Sequence, residues 1–357
     1  MGPVLTNIRD LDEVKFVDLA VGMGEKAFRG RQLFEWVHAK RVNDYEEMSN
    51  LPAKLRESLR EEYGAVDPLR VVKKQEAQDG STAKYLFELS DGNTIESVWM
   101  RYRHGDSVCV SSQVGCRMGC RFCASTLGGL VRNLTPGEML SQVYDIEREQ
   151  YPKDTDGHIG SIIVMGMGEP FDNYENLIRF IRLLTDEKGR NLSARSVTVS
   201  TCGIPDGIRR LAKEGLPVTL ALSLHAPDDE TRKRIMPIAK AHPMEEVLEA
   251  CRDYFSETGR RVSLEYSMIR DVNDDEKAAE KLAERCVKLQ KSGMPVHINL
   301  IPLNEVSETG WERTGTERIQ QFKKILEKNR INVTIRREMG SEIDAACGQL
   351  RRKTQIK

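Results

Sequence analysis

The sequence predicts an α/β fold: a partial barrel of six β–α units, with a small N-terminal helical domain and a β-hairpin extension. Three observations lead there. From residue 108 onward, strand-like apolar runs alternate with helical ones. Ahead of them, two alternating runs are joined by Ser90-Asp91-Gly92-Asn93, which contains an Asp-Gly turn. The chain's least ordinary residues then fall just after the strand-like runs, where parallel α/β folds gather their sites.

At 357 residues the chain can bury a full core, with room for one large domain and a smaller one. Its 39% hydrophobic and 31% charged residues suit a soluble globular protein. A net charge of −1 provides no global field for nucleic acid, so any RNA or DNA must be gripped by local basic patches. No apolar run approaches the length of a membrane span, and the N-terminal residues lack the apolar segment of a secretory signal. The eight cysteines suit a reducing cytoplasm, where thiolates can bind metal.

Residues 1–65 read as the helical domain. Leu11, Val14, Phe16, Val17 and Leu19 predict one helix, and Phe28, Leu33, Phe34, Trp36 and Val37 a second. Ser49 or Asn50 is expected to cap a third, with Pro52 in its first turn and Leu55 and Leu59 facing inward. Lys26, Arg29, Arg31, Lys40 and Arg41 make the second helix basic, either as a solvated face or as a grip for phosphates. Residues 66–104 hold a linker or edge segment to about 80, then the hairpin. Tyr85, Phe87 and Leu89 alternate, and residues 95–100 return. Read from the alternation alone, Glu96 on the returning strand is an exposed carboxylate.

Residues 105–340 form the barrel. Strands are expected at 108–112, 161–165, 196–201, 218–224, 262–268 and 296–301, with helices at 135–151, 174–186, 204–214, 244–255 and 274–290. Thr135 should cap the first of these helices, with Pro136 in its first turn and Glu138 completing a capping box. The helix at 316–327 and a further strand at 333–337 end the barrel. Residues 341–357 carry Cys347 and a basic tail of Arg351, Arg352 and Lys353.

The chemistry centres on Gln113-Val114-Gly115-Cys116-Arg117-Met118-Gly119-Cys120-Arg121-Phe122-Cys123, a C-x3-C-x2-C pattern. Gly115 and Gly119 can turn the loop tightly enough to aim three thiolates at one centre. Zinc sites usually want four ligands, often as separated cysteine pairs, and an iron–sulfur cube is commonly held by four thiolates. Three thiolates would leave one iron open, a place for chemistry. The bland alternative is three free cysteines in a glycine-rich loop. An open iron can chelate an amine and a carboxylate, as in the methionine part of S-adenosylmethionine, whose sulfonium would break to a carbon radical on reduction. Gly166-Met167-Gly168-Glu169-Pro170 suits the ammonium, since glycines expose carbonyls and Glu169 adds a charged acceptor; it is otherwise a plain strand-to-helix turn. Ser200, Ser223 and Asn304 could bond the ribose and carboxylate, and His225 reads as a packed neutral histidine. Cys251 and Cys286 read as core thiols and Cys202 as filler near the pocket. Cys109 stands in the first barrel strand, and Cys347, among small residues, is either reactive or buried.

The residues from Ser112 to Cys123 resemble the cluster loop of radical S-adenosylmethionine RNA methyltransferases of the RlmN and Cfr type. So do Gly166 to Pro170, Ser223 to Pro227 and Ala345-Ala346-Cys347-Gly348-Gln349. Pro170 after Glu169, and Arg336-Arg337-Glu338, look more like the RlmN branch. The resemblance implies a [4Fe-4S] cluster on Cys116, Cys120 and Cys123. It implies contacts to S-adenosylmethionine from Gly168, Glu169, Ser200, Ser223, Leu224, His225 and Asn304, with two such molecules used per turnover. Cys347 would carry the methyl group as S-methylcysteine, Cys109 would resolve the product by a transient disulfide with Cys347, and Glu96 would be the proton acceptor, against its exposed reading. The implied substrate is C2 of an adenosine in 23S rRNA and of the adenosine 3′ to the anticodon in tRNAs, with C8 as the Cfr-type alternative. The implied partners are a flavodoxin- or ferredoxin-type reductase and no membrane, and the protein a cytoplasmic monomer.

Overall fold

The computed structural model describes residues 7–152, 157–337, 339–340, 343–346 and 348–350. In chain order its strands are β1 (Arg70–Glu76), β2 (Thr82–Glu88), β3 (Thr94–Tyr102), β4 (Gly105–Cys109), β5 (Gln113–Gly115), β6 (Leu130–Asn133), β7 (Ile159–Val164), β8 (Val197–Thr201), β9 (Thr219–Ser223), β10 (Val262–Met268), β11 (His297–Pro302) and β12 (Asn332–Ile335). Strands β5 and β6 pair by themselves; the other ten form one sheet that follows chain order from β1 at one edge to β12 at the other. β4 and β7 through β12 run parallel, the six expected strands plus β12. Their right-handed crossovers place helices over the outer face.

β1, β2 and β3 are antiparallel and join the parallel strands through β3, whose Val98 pairs with Cys109. The hairpin extension is therefore continuous with the barrel sheet. The stretch expected as a linker or edge supplies the edge strand itself. Its Lys73 and Lys74 are the kind of charge that blunts an edge against further pairing.

The helices are α1 (Glu13–Gly22), α2 (Ala27–Phe34), α3 (Ala53–Tyr63), α4 (Pro136–Gln150), α5 (Tyr174–Thr185), α6 (Pro205–Ala212), α7 (Asp229–Ile235), α8 (Met244–Thr258), α9 (Glu276–Lys291) and α10 (Thr316–Lys328). The capping box on α4 forms as its residues dictate, with Thr135 and Glu138 each accepting from the other's N–H. Two details differ from expectation. α3 starts behind Pro52 with no side-chain cap, while the Asn50 amide oxygen accepts the Trp36 indole N–H at 2.6 Å instead. α7 is an added helix; Asp228 caps it, accepting from the Thr231 N–H at 2.9 Å. Val14 and Phe28, counted among the apolar stripes, stand in solvent at 69% and 41% exposure.

The N-terminal helices lean on α4. Arg9 is wholly buried there, donating to Ser141 Oγ at 2.6 Å and pairing with Asp67 at 3.2 Å. Asp10 accepts the Gly137 N–H at 2.7 Å. His38 Nε2 donates to the Leu11 carbonyl at 3.0 Å, and its Nδ1 accepts from Tyr144 Oη at 3.2 Å. Burial pushes the His38 imidazole down to about 4. Cys251 and Cys286 are core thiols, both fully buried. Among the described residues no helix is long and apolar enough to cross a membrane.

Candidate active site

Cys109 is the last residue of β4, and the chain then crosses the mouth of the barrel to the small β5–β6 ribbon that starts the cysteine loop. Gly115 makes the turn into it. Its φ is +78°, and a Cβ there would meet the Gly129 carbonyl oxygen at 1.9 Å. The same oxygen accepts the Cys116 N–H at 3.1 Å, so the ribbon's two strands fix where the first thiol begins. Cys123 N–H donates to the Cys120 carbonyl at 3.1 Å, closing the loop's second turn.

Cys116, Cys120 and Cys123 line one cavity at the C-terminal ends of the parallel strands, with about 940 Å³ of empty space partly open to solvent. Gly168, Glu169, Ser200, Ser223, His225 and Asn304 line it too. Of the expected contacts, Leu224 alone is not on this wall; it is buried beside it.

Gly168 brings its backbone against the start of β5. Its φ is +105°, and a Cβ would come within 2.6 Å of Gln113. Gln113 fastens this contact, its Oε1 accepting the Glu169 N–H at 2.8 Å and its Nε2 donating to Asp172 at 3.0 Å. The buried Glu169 carboxylate is oriented by two N–H groups, from Phe171 at 3.1 Å and Cys202 at 2.7 Å. Desolvation still raises its pKa above the usual carboxylate range.

Burial and neighbouring negative groups, Glu169 among them, push the Cys116 thiol up to about 12 and raise Cys120 well above its usual value. Three thiolates brought to one cavity need a cationic centre to offset their charge, and metal supplies it. Among the described residues no three His, Cys, Asp or Glu side chains crowd one point as ligands of a single ion do. The three thiols are instead ranged around a cavity, which suits a cube rather than a lone ion. The residues present therefore fit an iron–sulfur cluster.

His225 is a neutral, fixed ring. Its Nδ1 accepts the Ser267 N–H at 2.9 Å, the Phe122 ring meets it edge-on at 5.1 Å, and burial lowers its pKa to about 3. Its φ of +54° turns the chain away from β9, and its own N–H donates to the Glu265 carbonyl at 3.1 Å.

A second cavity, of about 550 Å³, adjoins the first through Met165, Ile301, Asn304 and Arg336. Cys109, Ala345 and Ala346 all line it, while Gly348 lines the first cavity. Cys347 itself lies outside the described residues, as do Arg351, Arg352 and Lys353 of the basic tail.

The exposed reading of Glu96 is overturned: it is 1% exposed. Both faces of the hairpin are covered. Tyr85 and Ser97 point to α4, where Gln150 donates to Tyr85 Oη at 2.6 Å and Ser97 Oγ to Gln142 at 2.7 Å. On the opposite face Val98 and Met100 line the second cavity, and by strand alternation Glu96 shares that face. Lys84 is its partner at 3.5 Å and also donates to the Asp344 carbonyl at 3.1 Å. Sequence reasoning passed over Lys84. The signal for it was cross-strand phase: both residues fall on the side opposite Tyr85, Phe87 and Ser97.

A partial barrel with three cysteines on a loop at its mouth is the architecture of radical S-adenosylmethionine enzymes. Residues 110–283 match the family model described as the Radical SAM superfamily. Membership of that superfamily implies a [4Fe-4S] cluster and S-adenosylmethionine. Residues 6–64 match the ribosomal RNA large subunit methyltransferase N-terminal domain. The crystal structure of a radical SAM methyltransferase from Sphaerobacter thermophilus superposes with a TM-score of 0.91, at 42% identity over 96% of this chain and 98% of that one. A protein of Lachnospira eligens is 52% identical over 351 residues, 98% of this chain and 97% of its own. One of Geobacillus thermodenitrificans is 50% identical over 343 residues, 96% and 91% of the two chains. Both bear the name "Probable dual-specificity RNA methyltransferase RlmN". The chain belongs to the RlmN family of radical SAM RNA methyltransferases.

Proposed function

We propose that the enzyme methylates C2 of an adenosine in the peptidyl-transferase centre of 23S rRNA, and of the adenosine 3′ to the anticodon in tRNAs. The observation that carries this reading is the adjacency of two cavities. One is lined by Cys116, Cys120, Cys123, Gly168 and Glu169, the other by Cys109 and the residues just before Cys347. The relatives' dual specificity and the ribosomal RNA methyltransferase N-terminal domain support two RNA substrates.

In this reading Cys116, Cys120 and Cys123 hold the cluster. Gly168, Glu169, Ser200, Ser223, Leu224, His225 and Asn304 hold S-adenosylmethionine, two molecules of which are spent per turnover. Together the bound groups supply hydrogen abstraction from an unactivated carbon. That chemistry matters because C2 of adenine is electron-poor and resists ordinary polar methyl transfer. Cys347 carries the methyl carbon as a thioether. Cys109 forms a disulfide with it to release the product, which requires their Cα atoms within roughly 4.4–6.8 Å. Glu96 takes the proton lost from the base, with Lys84 at 3.5 Å as its buried counter-charge. The target base must be splayed from its stack to reach the pocket, with the basic α2 region and the tail as the RNA grip. The enzyme works as a cytoplasmic monomer with electrons from a flavodoxin- or ferredoxin-type reductase.

The test is anaerobic incubation of the reconstituted enzyme with reductant, S-adenosylmethionine and RNA, followed by mass spectrometry that locates the new methyl group. A methyl at C2 is expected. A methyl at C8 would replace this reading with the Cfr-type one, and no 5′-deoxyadenosine at all would reduce the protein to an RNA-binding module.

A further inference from the structure

Arg232, on α7, is a wholly buried cation with no carboxylate beside it. Its hydrogen bonds all go to main-chain oxygens: Nη2 donates to Cys202 O at 2.5 Å and to Ser223 O at 3.4 Å, and Nε to Leu224 O at 3.3 Å. Nη1 makes none. Among the described residues no Asp or Glu lies within ion-pairing distance of this guanidinium. Arg9, buried to the same degree, has Asp67 at 3.2 Å. A buried charge without a counter-charge is strongly destabilising, and peptide oxygens offset only part of that cost.

The position of Arg232 indicates where the missing anion belongs. α7 and the residues after it form the bed of the cysteine loop: the Arg121 N–H donates to the Ile235 carbonyl at 2.9 Å, and a Cβ on Gly119 would touch the Pro237 ring at 3.5 Å. Met236 lines the cluster cavity. The Cys202 peptide links the two charged side chains at the site, giving its N–H to Glu169 and its carbonyl to Arg232. Cys202 and Ser223, whose carbonyls the guanidinium holds, both line the cavity shared by Cys116, Cys120 and Cys123.

We propose that Arg232 is the counter-ion of the iron–sulfur cluster, a positioning residue that makes the cluster easier to reduce. A [4Fe-4S] centre on three thiolates is a net anion, and accepting one electron from the external donor makes it more negative by one unit. A fixed cation nearby in low dielectric therefore stabilises the reduced state more than the oxidised one. The inference rests on the proposed assignment of the cluster to Cys116, Cys120 and Cys123.

The experiment compares wild type, Arg232→Gln and Arg232→Lys, each reconstituted anaerobically and matched for iron per chain, by redox titration followed by electron paramagnetic resonance. Gln keeps a donor for the Cys202 carbonyl and removes the charge; Lys keeps the charge and loses the fork. Arg232→Gln should lower the reduced-to-oxidised ratio at a given potential at least tenfold, a midpoint shift of about 59 mV for one electron. Arg232→Lys should stay near wild type. Arg232→Met serves if the Gln chain does not fold. Equal midpoints in all three, or equal shifts in Lys and Gln, overturn the counter-ion role and leave Arg232 as a strap across strand ends. A wild-type chain that binds no cluster overturns the site assignment, and this inference with it. A wild type that binds one while the variants match it leaves the assignment standing.

Discussion

His38 offers a direct test of how the N-terminal helices are held to α4. Its ring is wholly buried between Phe16, Phe34 and Tyr144, and its pKa falls from 6.5 to about 4. Burial is the main cause; the Leu11 carbonyl opposes it, the Arg9 charge adds to it, and Asp12 opposes it least. The sign follows from linkage. Above 6.5 the ring is neutral in both the folded and the unfolded chain, so it contributes no pH dependence. As pH falls through that value the unfolded chain takes up the proton first, so stability is lost until the folded pKa near 4 is reached. At about 1.4 kcal/mol per pKa unit the whole span is worth about 3 kcal/mol, of which about 2 kcal/mol is gone by about pH 5. The assay is urea unfolding of wild type and His38→Phe by circular dichroism at about pH 7 and about pH 5. Other titrating groups cancel in the difference between the chains. The stability advantage of wild type should shrink by about 2 kcal/mol on acidification. Two chains that lose stability in parallel would show that His38 is solvated or already protonated, and would refute the packing described for this interface.

Three further outcomes are expected. Gly115→Ala must place a Cβ where the Gly129 carbonyl oxygen sits, at a φ of +78°; it should lose most of its iron on anaerobic reconstitution, by colorimetric iron assay, with its far-ultraviolet spectrum unchanged. Glu96→Gln should keep the cluster and the release of 5′-deoxyadenosine but cut methylated RNA by about 10²–10⁴-fold, as loss of a proton acceptor does; unchanged methylation would remove Glu96 from the chemistry. Phe180→Ala, on α5 with no exposed surface, should cost about 3–5 kcal/mol in urea unfolding without altering the product.

The barrel was legible because parallel strands covered on both sides are written as continuous apolar runs, as in Ser161-Ile162-Ile163-Val164-Met165. The cysteine loop was legible because three thiols packed into eight residues serve little purpose unless they share a centre to bind. What stayed hidden depended on partners distant in sequence. Glu96 looked solvent-facing because alternation implies one wet face, and nothing local reveals that Met339, Ala345, Ala346 and Leu350 border that face. Between linker and edge the sequence could not choose for β1, because an edge strand is allowed to be polar: its Lys73, Lys74, Gln75 and Glu76 carry no apolar period. Arg232 sits in the charged run Arg232-Lys233-Arg234, which reads as a solvated helix face until the fold buries the first of the three.

The doubly covered hairpin also bears on how variation across residues 82–100 should be read. Neighbouring positions there answer to separate constraints. Alternate residues from Tyr85 report on the seating of α4, so their substitutions should register as lost protein in the cell. Those in phase with Lys84 and Glu96 border the second cavity, so theirs should register as well-folded chains that leave RNA unmodified. A saturation library across this one ribbon, scored separately for abundance and for modified RNA, would separate into two interleaved sets at a period of two residues.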